Sequence, residues 1–467
     1  MPSTSPIAFA AYAGLCAALH AAFTHAAPQP YMDEPFHVGQ TRAYCAGRWQ
    51  EWDNKITTFP GLYLFAAAWA WLSSGGDSAC SLPTLRALNL LPALATPWLL
   101  SALLSALHPA TKRVDLWANV AVLSLLPTHF FFHFLYYTDS AATCSVLLLL
   151  LLSIPPSTAT ASDGTGGSGG GTWIRHVCRA IAATLAIGFR QTNAVWVAFA
   201  VASCALRELQ LAGGHDAKAT PSLLSALAEL ATALSRALPL LLLRHLLPLL
   251  LLAAFALFVV VNGGVVVGDR SNHTPSFHGA QLLYLTVFAA APFCLVQLTA
   301  RLPSTLASAA RACRASPLSA VLAIGLTLGL ARQTLCHPFL LADNRHVTFY
   351  LWRYLLGRHW AIRYALTPGY LLLGHSLYPA VWRAHGPLIG FGLGLCAALV
   401  LVPSPLIEPR YLTLPVLLLR LHAPPLKGVA AWAPPLLLFA ALNAGMLLIF
   451  LKRPYVWGDG SEARFMW

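Results

Sequence analysis

The sequence predicts an all-α polytopic membrane protein. Of its 467 residues, 57% are hydrophobic and only 10% are charged, which is more apolar surface than one soluble core can bury. Apolar stretches long enough to cross a hydrocarbon layer of roughly 30 Å as helices recur from end to end. The formal net charge of +13 does not indicate a nucleic-acid partner, because the basic residues form short clusters between apolar stretches, as in cytoplasmic loops. The lipid bilayer is therefore the expected surroundings of most of the chain.

The apolar stretches place the spans, and we expect about 12–14 transmembrane helices in a single domain over residues 1–467. Residues 6–27 are interpreted as the first span, because a cleaved signal peptide would carry a basic region before its apolar one. Gly61–Ser73 is short for a crossing and is expected to be re-entrant or interfacial. Further spans are expected to start near Leu82, Val114, Ala141, Val177, Ala194, Leu238, Gln281, Leu318, Thr348, Tyr364, Pro387, Tyr411 and Val429.

Basic residues assign the two sides of the membrane, because loops rich in Lys and Arg stay in the cytoplasm. Four polar loops then face the other compartment and are expected to converge on one face: Tyr31–Pro60, Tyr136–Ser140, Asn262–Gly279 and Cys336–His346. The first of them lies in a luminal loop, residues 28–75, that we expect to be catalytic. The residues assigned to the cytoplasm are Lys112 and Arg113, Arg175 and Arg179, Arg207 to Arg244, Arg301 to Arg314, Arg358 and Arg363, and Lys452 and Arg453.

Several common activities have no support in the sequence. Residues 157–172 form a low-complexity segment, interpreted as a cytoplasmic linker. Its match to GxGxxG is not a dinucleotide site, because no strand precedes it. The chain has no Walker A sequence and no DxD pair, and its ten Cys show no CxxC or zinc spacing. No cofactor and no metal are therefore expected. Cys45 and Cys80 flank Gly61–Ser73 and are either a disulfide or two unpaired thiols, since sequence gives no distance between them.

Ionisable residues beside membrane spans are costly to keep, so the few in the polar loops are candidates for function. Asp33 and Glu34 follow the first span directly. A structural alternative is that Asp33, before Pro35, caps the next helix. An aromatic and amide-rich stretch then follows that is suited to stacking on a sugar, although aromatic residues are also ordinary at a bilayer interface. The candidate polar and aromatic residues are Tyr31, His37, Trp52, Asp53, Thr57, Thr58, Tyr63, Arg190, Gln191, Asn193, Arg270, Asp343, Asn344, Arg345, His346 and Arg410.

Six motifs, in order along the chain, carry a resemblance to a known family. They are Tyr31-Met-Asp-Glu34, Trp52-Asp with Thr57-Thr-Phe-Pro-Gly-Leu-Tyr63, Phe189-Arg-Gln-Thr-Asn193, Asn262-Gly-Gly with Gly268-Asp-Arg270, Leu340-Leu-Ala-Asp-Asn-Arg-His346 and Arg464-Phe-Met-Trp467. From about residue 28 to the end, the chain resembles the endoplasmic-reticulum dolichyl-phosphate-glucose-dependent alpha-1,2-glucosyltransferases. Residues 157–172 and the region from Arg207 to Arg244 do not share the resemblance in detail.

The resemblance implies a C-type membrane glycosyltransferase architecture in the endoplasmic-reticulum membrane, with the active site facing the lumen. It implies dolichyl-phosphate glucose as donor and Glc2Man9GlcNAc2-diphosphodolichol as acceptor, which receives its terminal alpha-1,2-linked glucose. Because the family's donor is beta-linked and its product alpha-linked, the reaction inverts and needs one base. We expect Asp33 to be that base and Glu34 to orient the acceptor, or the two to exchange roles. The growing charge on the leaving phosphate would be met by cationic side chains.

Those cations are expected to be Arg345, His346 and Arg190, with Arg270 and Arg410 less well placed. For each Arg, contact with lipid headgroups is the structural alternative. The remaining candidates are expected to bind sugar or acceptor. Two other functions stay open at this point: a dolichyl-phosphate-mannose-dependent mannosyltransferase of the same fold, and a polytopic transporter. A transporter would be expected to show internal repeats, and the sequence shows none. The sequon Asn272-His-Thr274 is expected on the luminal side.

Overall fold

The structure is a computed structural model that describes residues 6–73, 76–155, 169–213, 222–271, 274–300 and 302–467. Within these residues helices predominate and strands are almost absent, as expected. A short hairpin of β1 (Tyr455–Val456) and β2 (Glu462–Ala463) is the exception that matters for the site. The sequon at Asn272 and most of the 157–172 linker lie outside the described residues. The helices in chain order are α1 Pro6–Ala26, α2 Glu34–Cys45, α3 Gly61–Leu72, α4 Gly76–Ala79, α5 Leu82–Leu88, α6 Leu90–Leu107, α7 Arg113–Ser124, α8 Pro127–Phe130, α9 Asp139–Leu152, α10 Gly169–Phe189, α11 Ala194–Gly213, α12 Leu223–Arg244, α13 Leu246–Asn262, α14 Gln281–Ala300, α15 Leu302–Ala315, α16 Pro317–Arg332, α17 Pro338–Ala342, α18 Val347–Leu351, α19 Ile362–Ala365, α20 Thr367–His385, α21 Pro387–Leu401, α22 Pro409–His422 and α23 Val429–Lys452.

Three helical segments are long and apolar enough to cross a membrane by length and composition: Ile7–Ala26 in α1, Leu82–Leu107, which comprises α5 and α6, and Val429–Lys452, which is α23. The number rises to six if each of three bent helix pairs is one span. Shorter apolar helices accompany them, including α3, α9 and α13. The chain is therefore a multi-pass membrane protein with an all-α fold. The count of about 12–14 spans stays a prediction.

Most of the expected span positions coincide with helices. Helices α14, α21 and α23 begin at the expected residues Gln281, Pro387 and Val429, and α11 begins at the expected Ala194. The span expected to start near Thr348 is wrong. In its place are α18 with 5 residues, a π-helical turn with 5 residues and α19 with 4 residues. At a rise of about 1.5 Å per residue, none of these can cross a bilayer.

The contacts divide the chain into two compact units, and the single-domain organisation stays a prediction. Unit 1 comprises Met1–Ala106, Phe132–Asn272 and Gly386–Gly392, and unit 2 comprises Leu107–Phe131, His273–His385 and Leu393–Trp467. In unit 1, α10 packs along α9, and α2 packs against α3. A buried cluster that includes Val38, Tyr63 and Tyr136 lies between α2, α3 and α5.

In unit 2, α14 packs against α20, α22 and α23, and α7 packs against α23. Hydrogen bonds from polar side chains link α7 to α23 and to the residues just before it. The Asp115 carboxylate accepts the backbone N–H of Gly428 at 2.8 Å, and the Asn119 amide oxygen accepts that of Leu426 at 3.0 Å. Asn443 donates to the Leu125 carbonyl at 2.8 Å. Because these bonds join α7 to the start and to the middle of α23, they fix the register between the two helices.

The C-terminal segment changes the expected assignment of sides. After α23 ends at Lys452, the chain forms the hairpin and then donates the Met466 N–H to the Arg345 carbonyl at 2.9 Å. No described helix lies between Lys452 and Met466, so Lys452 shares a side with the Cys336–His346 loop. No crossing separates His346 from Arg363 either. Placing Lys452, Arg453, Arg358 and Arg363 opposite that loop was therefore wrong. Their charge is outweighed by the tertiary contacts of the segment.

We expect reporter sites at Arg358 and at Asp459, in the hairpin turn, to be on one side of the membrane. A site at Gly428 should be on the other side, because α23, which is long and apolar enough to cross a membrane, separates it from the hairpin. Glycosylation acceptor sites on short flexible inserts, in a chain in which Thr274→Ala removes the natural sequon, measure this in microsomes. Opposite glycosylation states at Arg358 and Asp459 would contradict the shared side.

Candidate active site

The first polar loop is held by a buried ion pair between Glu34, at the start of α2, and Arg86 of α5. Arg86 Nε donates to Glu34 Oε1 at 2.8 Å, and Nη2 donates to Oε2 at 2.5 Å. Both side chains are 0% exposed. The backbone N–H groups of Tyr31 and Tyr136 complete the carboxylate's bonds at 2.9 and 2.7 Å. A buried charge pair is tolerated when its remaining lone pairs are satisfied in this way.

Arg86 also ties the end of α1 to the same point. Its Nη1 donates to the Ala27 carbonyl at 2.7 Å and to the Phe23 carbonyl at 3.4 Å, and its Nη2 lies 3.4 Å from the Gln29 carbonyl. These carbonyls lie in the last turn of α1 and just beyond its end. Sequence reasoning missed Arg86. The available signal was a single Arg inside the apolar run Leu82–Leu107, which is costly unless it is paired.

Asp33 precedes this pair and differs from Glu34 in exposure. It stands at the N-cap position of α2, but its carboxylate makes no capping hydrogen bond, so the capping alternative does not account for it. Its backbone N–H donates to the Tyr137 hydroxyl at 3.1 Å. The side chain is partly exposed, whereas Glu34 is fully buried. Met32, just before it, has a φ of +58°, a conformation that costs a non-glycine residue energy and that clusters at functional sites.

Aromatic side chains line the loop beside Asp33. His37 Nδ1 is 2.7 Å from the Tyr63 hydroxyl, and its ring centroid is 5.7 Å from that of Tyr137. Trp52 is partly exposed and contacts Tyr63 edge-on at 6.1 Å. Tyr63 itself is 0% exposed. Tyr31, His37 and Trp52 can therefore reach a ligand in this state, while Tyr63 supports them from below.

Gln191 and Asn193, whose contact with the sugar stays a prediction, hydrogen-bond backbone carbonyls in this structure. Gln191 donates to the Thr57 carbonyl at 2.5 Å, and Asn193 donates to the Ala186 carbonyl at 3.0 Å. Both side chains are buried. They therefore brace the backbone. Arg190, beside them, forms an ion pair with Asp139.

Three of the four polar loops meet in unit 1. The Tyr136–Ser140 turn contacts the first loop through Glu34. The segment after α13 contacts it through Asp269 N–H, which donates to the Asn54 carbonyl at 2.7 Å. Gly268 has a φ of +73°, and a Cβ there would lie 2.5 Å from the Asn54 carbonyl oxygen. Only glycine allows this close approach. The expected convergence is therefore confirmed for these three loops.

The remaining first-loop and following-loop candidates are partly or fully exposed. Asp53 is partly exposed, and its Oδ1 accepts the Lys55 N–H at 2.9 Å. Thr57 and Thr58 are also partly exposed, although the Thr57 carbonyl is occupied by Gln191. Arg270 is exposed. Asp53, Thr57, Thr58 and Arg270 thus keep accessible surface for a ligand.

A disulfide joins Cys45, at the end of α2, to Cys80, just before α5, with Cα atoms 6.7 Å apart. The bridged alternative from the sequence is therefore confirmed. Ala70 and Ala79 pack beside the bridge. The disulfide links the two elements that carry Glu34 and Arg86, so it limits how far the ion-paired partners can separate.

The fourth loop belongs to unit 2 and is organised around Asp343. Its carboxylate accepts Arg345 Nε at 2.8 Å and Nη2 at 2.7 Å, as a bidentate pair. Partial burial raises the pKa of Asp343, but the bonds from Arg345 and the nearby His346 outweigh it, so the net pKa lies below the ordinary value. His346 Nδ1 lies 2.8 Å from the Trp467 carbonyl. Asn344 is exposed.

Arg410 repeats the arrangement of Arg345, with an acid two residues earlier in the chain. Its Nε donates to Glu408 Oε1 at 3.1 Å. Arg190, Arg345 and Arg410 are thus each paired with a carboxylate in this state. A phosphate group would have to compete with that carboxylate for the guanidinium.

One group of described residues offers donor atoms for a metal: Cys204, Glu208 and His245, with their ligand atoms within 4.8 Å of one another. However, Arg179 Nη2 lies 2.7 Å from His245 Nδ1 and can only donate. A neutral imidazole that accepts at Nδ1 carries its proton on Nε2, which then cannot bind a metal. The contact favours a network in which Glu208 also meets Arg244 at 3.4 Å. That no metal is used stays a prediction.

Fold and site together define a class: an all-α multi-pass membrane protein whose polar loops gather acidic and aromatic side chains, as an enzyme of membrane-bound polar substrates requires. The DIE2/ALG10 family model matches residues 27–421, and the chain belongs to this family. It is 31% identical over 478 residues to a mouse (Mus musculus) protein, covering 96% of this chain and 95% of the relative. It is 30% identical to an Arabidopsis thaliana relative (95% and 96% covered) and to a human (Homo sapiens) relative (96% and 95% covered).

All three relatives are named Dol-P-Glc:Glc(2)Man(9)GlcNAc(2)-PP-Dol alpha-1,2-glucosyltransferase. The family resemblance found in the sequence motifs is thereby confirmed. No solved structure matches the chain. The C-type glycosyltransferase architecture therefore stays a prediction.

The ion pair predicts a large loss of stability when one partner loses its charge. Glu34→Gln would leave the Arg86 guanidinium buried without a counter-charge, which costs about 3–5 kcal/mol. We expect the thermal unfolding midpoint of the purified protein to fall sharply. The double variant Glu34→Gln with Arg86→Met should be closer to the unsubstituted protein than Glu34→Gln alone. Asp33→Asn is the matched control and should stay within about 0.5 kcal/mol. Equal stability of Glu34→Gln and the unsubstituted protein would contradict the assignment.

Proposed function

We propose that this chain is a dolichyl-phosphate-glucose-dependent alpha-1,2-glucosyltransferase that adds the terminal glucose to Glc2Man9GlcNAc2-diphosphodolichol. The observation that carries the proposal is the match to relatives of that name over 95–96% of this chain. The mannosyltransferase and transporter alternatives are not favoured, because the relatives share one glucosyltransferase name. We further propose that the enzyme lies in the endoplasmic-reticulum membrane with its site facing the lumen, where this acceptor is completed.

In the proposed mechanism, Asp33 is the general base. Its carboxylate takes the proton of the acceptor hydroxyl while that oxygen forms a bond to the anomeric carbon of glucose. The bond from this carbon to the phosphate oxygen breaks, and its electron pair leaves with dolichyl phosphate. Because attack and departure occur on opposite faces, a beta-linked donor becomes an alpha-linked product. Asp33 suits this role because its side chain is partly exposed, whereas that of Glu34 is fully buried.

Glu34 has a different proposed role from the one expected of it. All its oxygen contacts are internal and its side chain is fully buried, so it has no surface with which to orient an acceptor. We assign it the positioning of the loop. Through Arg86 it fixes the backbone at Tyr31 and Tyr136 and thereby sets the direction in which Asp33 points. A precise base position matters because small displacements in a reacting geometry cost large factors in rate.

Further aromatic, polar and cationic residues have proposed roles in the reaction. Tyr31, His37 and Trp52 would stack on or hydrogen-bond the sugars, with Asp53, Thr57 and Thr58 and the exposed Asn344 as polar contacts. Arg345 and His346 would stabilise charge on the departing phosphate, once Asp343 yields part of its bidentate contact to the phosphate oxygens. Arg190, Arg270 and Arg410 are further candidates for this role. Negative charge develops on the leaving phosphate as its bond to the sugar breaks. At that stage the guanidinium of Arg345 is attracted more strongly to the phosphate than to Asp343.

A reconstituted assay with defined lipids tests the function. The purified chain in vesicles should transfer glucose from dolichyl-phosphate glucose to Glc2Man9GlcNAc2-diphosphodolichol, and the product should lose one residue to an alpha-1,2-specific glucosidase. Dolichyl-phosphate mannose should give no product with the same acceptor. Transfer of mannose, or no transfer of either sugar by protein that is folded and correctly inserted, would contradict the proposal.

Asp33→Asn tests the base. The amide keeps the size of the carboxylate and its hydrogen-bonding capacity but cannot accept the proton, so we expect turnover to fall by about a hundredfold or more with little change in acceptor KM. Glu51→Gln, an exposed acid on the same loop that pairs with Arg48, is the matched control and should keep normal turnover. If Asp33→Asn keeps near-normal transfer, Asp33 is not the base.

A further inference from the structure

The backbone of the proposed base is held by a side chain that the mechanism above does not use. Tyr137 lies in the irregular turn just before α9, and its hydroxyl oxygen accepts the backbone N–H of Asp33 at 3.1 Å. The Tyr137 side chain is only 1% exposed. Asp33 stands at the N-cap position of α2, where a helix offers a backbone N–H no acceptor of its own. The Tyr137 hydroxyl supplies that acceptor.

Tyr137 is fixed in turn by Asn89, which lies between α5 and α6 and is 1% exposed. The Asn89 amide donates to the Leu135 carbonyl at 2.5 Å and to the Tyr137 carbonyl at 3.1 Å. The Tyr137 N–H also donates to the Leu135 carbonyl, at 3.0 Å. One buried amide thus binds two carbonyls of one short turn, which restricts the backbone of that turn. The Tyr137 hydroxyl is therefore presented from a restrained backbone.

One turn of helix supports both acids of the first loop. Asn89 follows Arg86 by three residues at the end of α5, so the two side chains lie on one helical face. Arg86 binds the Glu34 carboxylate directly. Asn89 binds the turn whose Tyr136 N–H reaches the same carboxylate at 2.7 Å. The contacts to Glu34 and the contact to the Asp33 backbone therefore share one support.

The ring and the hydroxyl of Tyr137 contact different residues. The ring meets His37 edge-on, with the ring centroids 5.7 Å apart, and it packs against Phe132 at 5.3 Å. The hydroxyl contacts the Asp33 backbone. Phenylalanine in place of Tyr137 would keep the ring contacts and lose only the acceptor for the Asp33 N–H. The two contacts can therefore be separated by one conservative substitution.

We propose that Tyr137 is a positioning residue for glucosyl transfer, and that its hydroxyl fixes the direction in which the Asp33 carboxylate points. Only two rotatable bonds separate this carboxylate from the Asp33 backbone, so a shift of the backbone moves the carboxylate with it. A displacement of about 1 Å in a reacting geometry can cost about a hundredfold in rate. Tyr137 itself touches no reacting atom in this mechanism. The inference rests on the proposed function, because it concerns the base of that reaction.

Amide hydrogen exchange of the full-length protein in detergent tests the contact without any substrate. Tyr137→Phe removes the acceptor, so we expect exchange at the Asp33 N–H to become about tenfold faster, the factor for loss of one hydrogen bond. Asn89→Ala should also accelerate it, through the loosened turn. Tyr378→Phe is the matched control, because it removes a tyrosine hydroxyl that bonds Thr286 at 2.6 Å in unit 2. Mass spectrometry at single-residue resolution measures the exchange.

Transfer kinetics in vesicles test the positioning. We expect Tyr137→Phe to lower kcat about tenfold and to leave both KM values within about twofold, because the base is displaced while the substrate contacts remain. The double variant Tyr137→Phe with Asp33→Asn should be no slower than Asp33→Asn alone. Once the base is absent, its displacement has no further cost, so the two effects are not additive. Tyr378→Phe should keep the normal kcat.

Three results would overturn the inference. Unchanged exchange at Asp33 in Tyr137→Phe would mean that the hydroxyl does not hold this backbone. Normal kcat together with faster exchange would mean that the contact does not position the base. A double variant slower than Asp33→Asn by the full factor of Tyr137→Phe would mean that Tyr137 acts independently of Asp33. Failure of the proposed function gives a different result: no glucose transfer by the unsubstituted protein, with exchange at Asp33 still faster in Tyr137→Phe.

Discussion

The buried ion pair between Glu34 and Arg86 is the interaction on which the candidate site depends. Arg86 sits inside an apolar helix, so its charge requires a partner, and Glu34 is that partner with both oxygens engaged. The same guanidinium holds the carbonyls at the end of α1, and the same carboxylate holds the backbone of Tyr31 and Tyr136. Two helix ends, the first loop and a turn about a hundred residues further along thus share one anchor. The disulfide from Cys45 to Cys80 closes the same elements covalently.

This anchor explains why two adjacent acids have different roles. Neighbouring residues at a helix start point in different directions, so burial of Glu34 leaves Asp33 at the surface of the loop. Glu34 contributes rigidity, and Asp33 contributes an accessible carboxylate. The backbone at Met32, which has a positive φ, lies directly before them, next to the ion pair and to the hydrogen bond from the Asp33 N–H to the Tyr137 hydroxyl. In this arrangement the cost of an irregular backbone is offset by the buried contacts next to it.

The cations of the chain divide by how their charge is balanced. Arg190, Arg345 and Arg410 each contact a carboxylate, which keeps the guanidinium oriented but lowers its attraction for a phosphate. Arg363 is partly exposed and forms no such ion pair with the residues that the structure describes. An enzyme that binds a charged lipid and then stabilises a more highly charged leaving group has use for both kinds of cation.

Sequence alone determined the all-α membrane class, the starts of α14, α21 and α23, the acid pair in the first loop and the family, because composition, apolar length and motifs are local properties. It did not separate Asp33 from Glu34, find Arg86, or show that Gln191 and Asn193 brace the backbone. Each of these depends on contacts between distant residues, such as the 52 positions between Glu34 and Arg86. The sides of the membrane on which Arg363 and Lys452 lie were also decided only by the tertiary structure. Short helices take the place of the span expected near Thr348, and the Met466–Arg345 hydrogen bond brings the segment after Lys452 to the fourth loop. Spacing along a chain sets which residues share a helix face, but only packing sets which helices meet and which charges are buried.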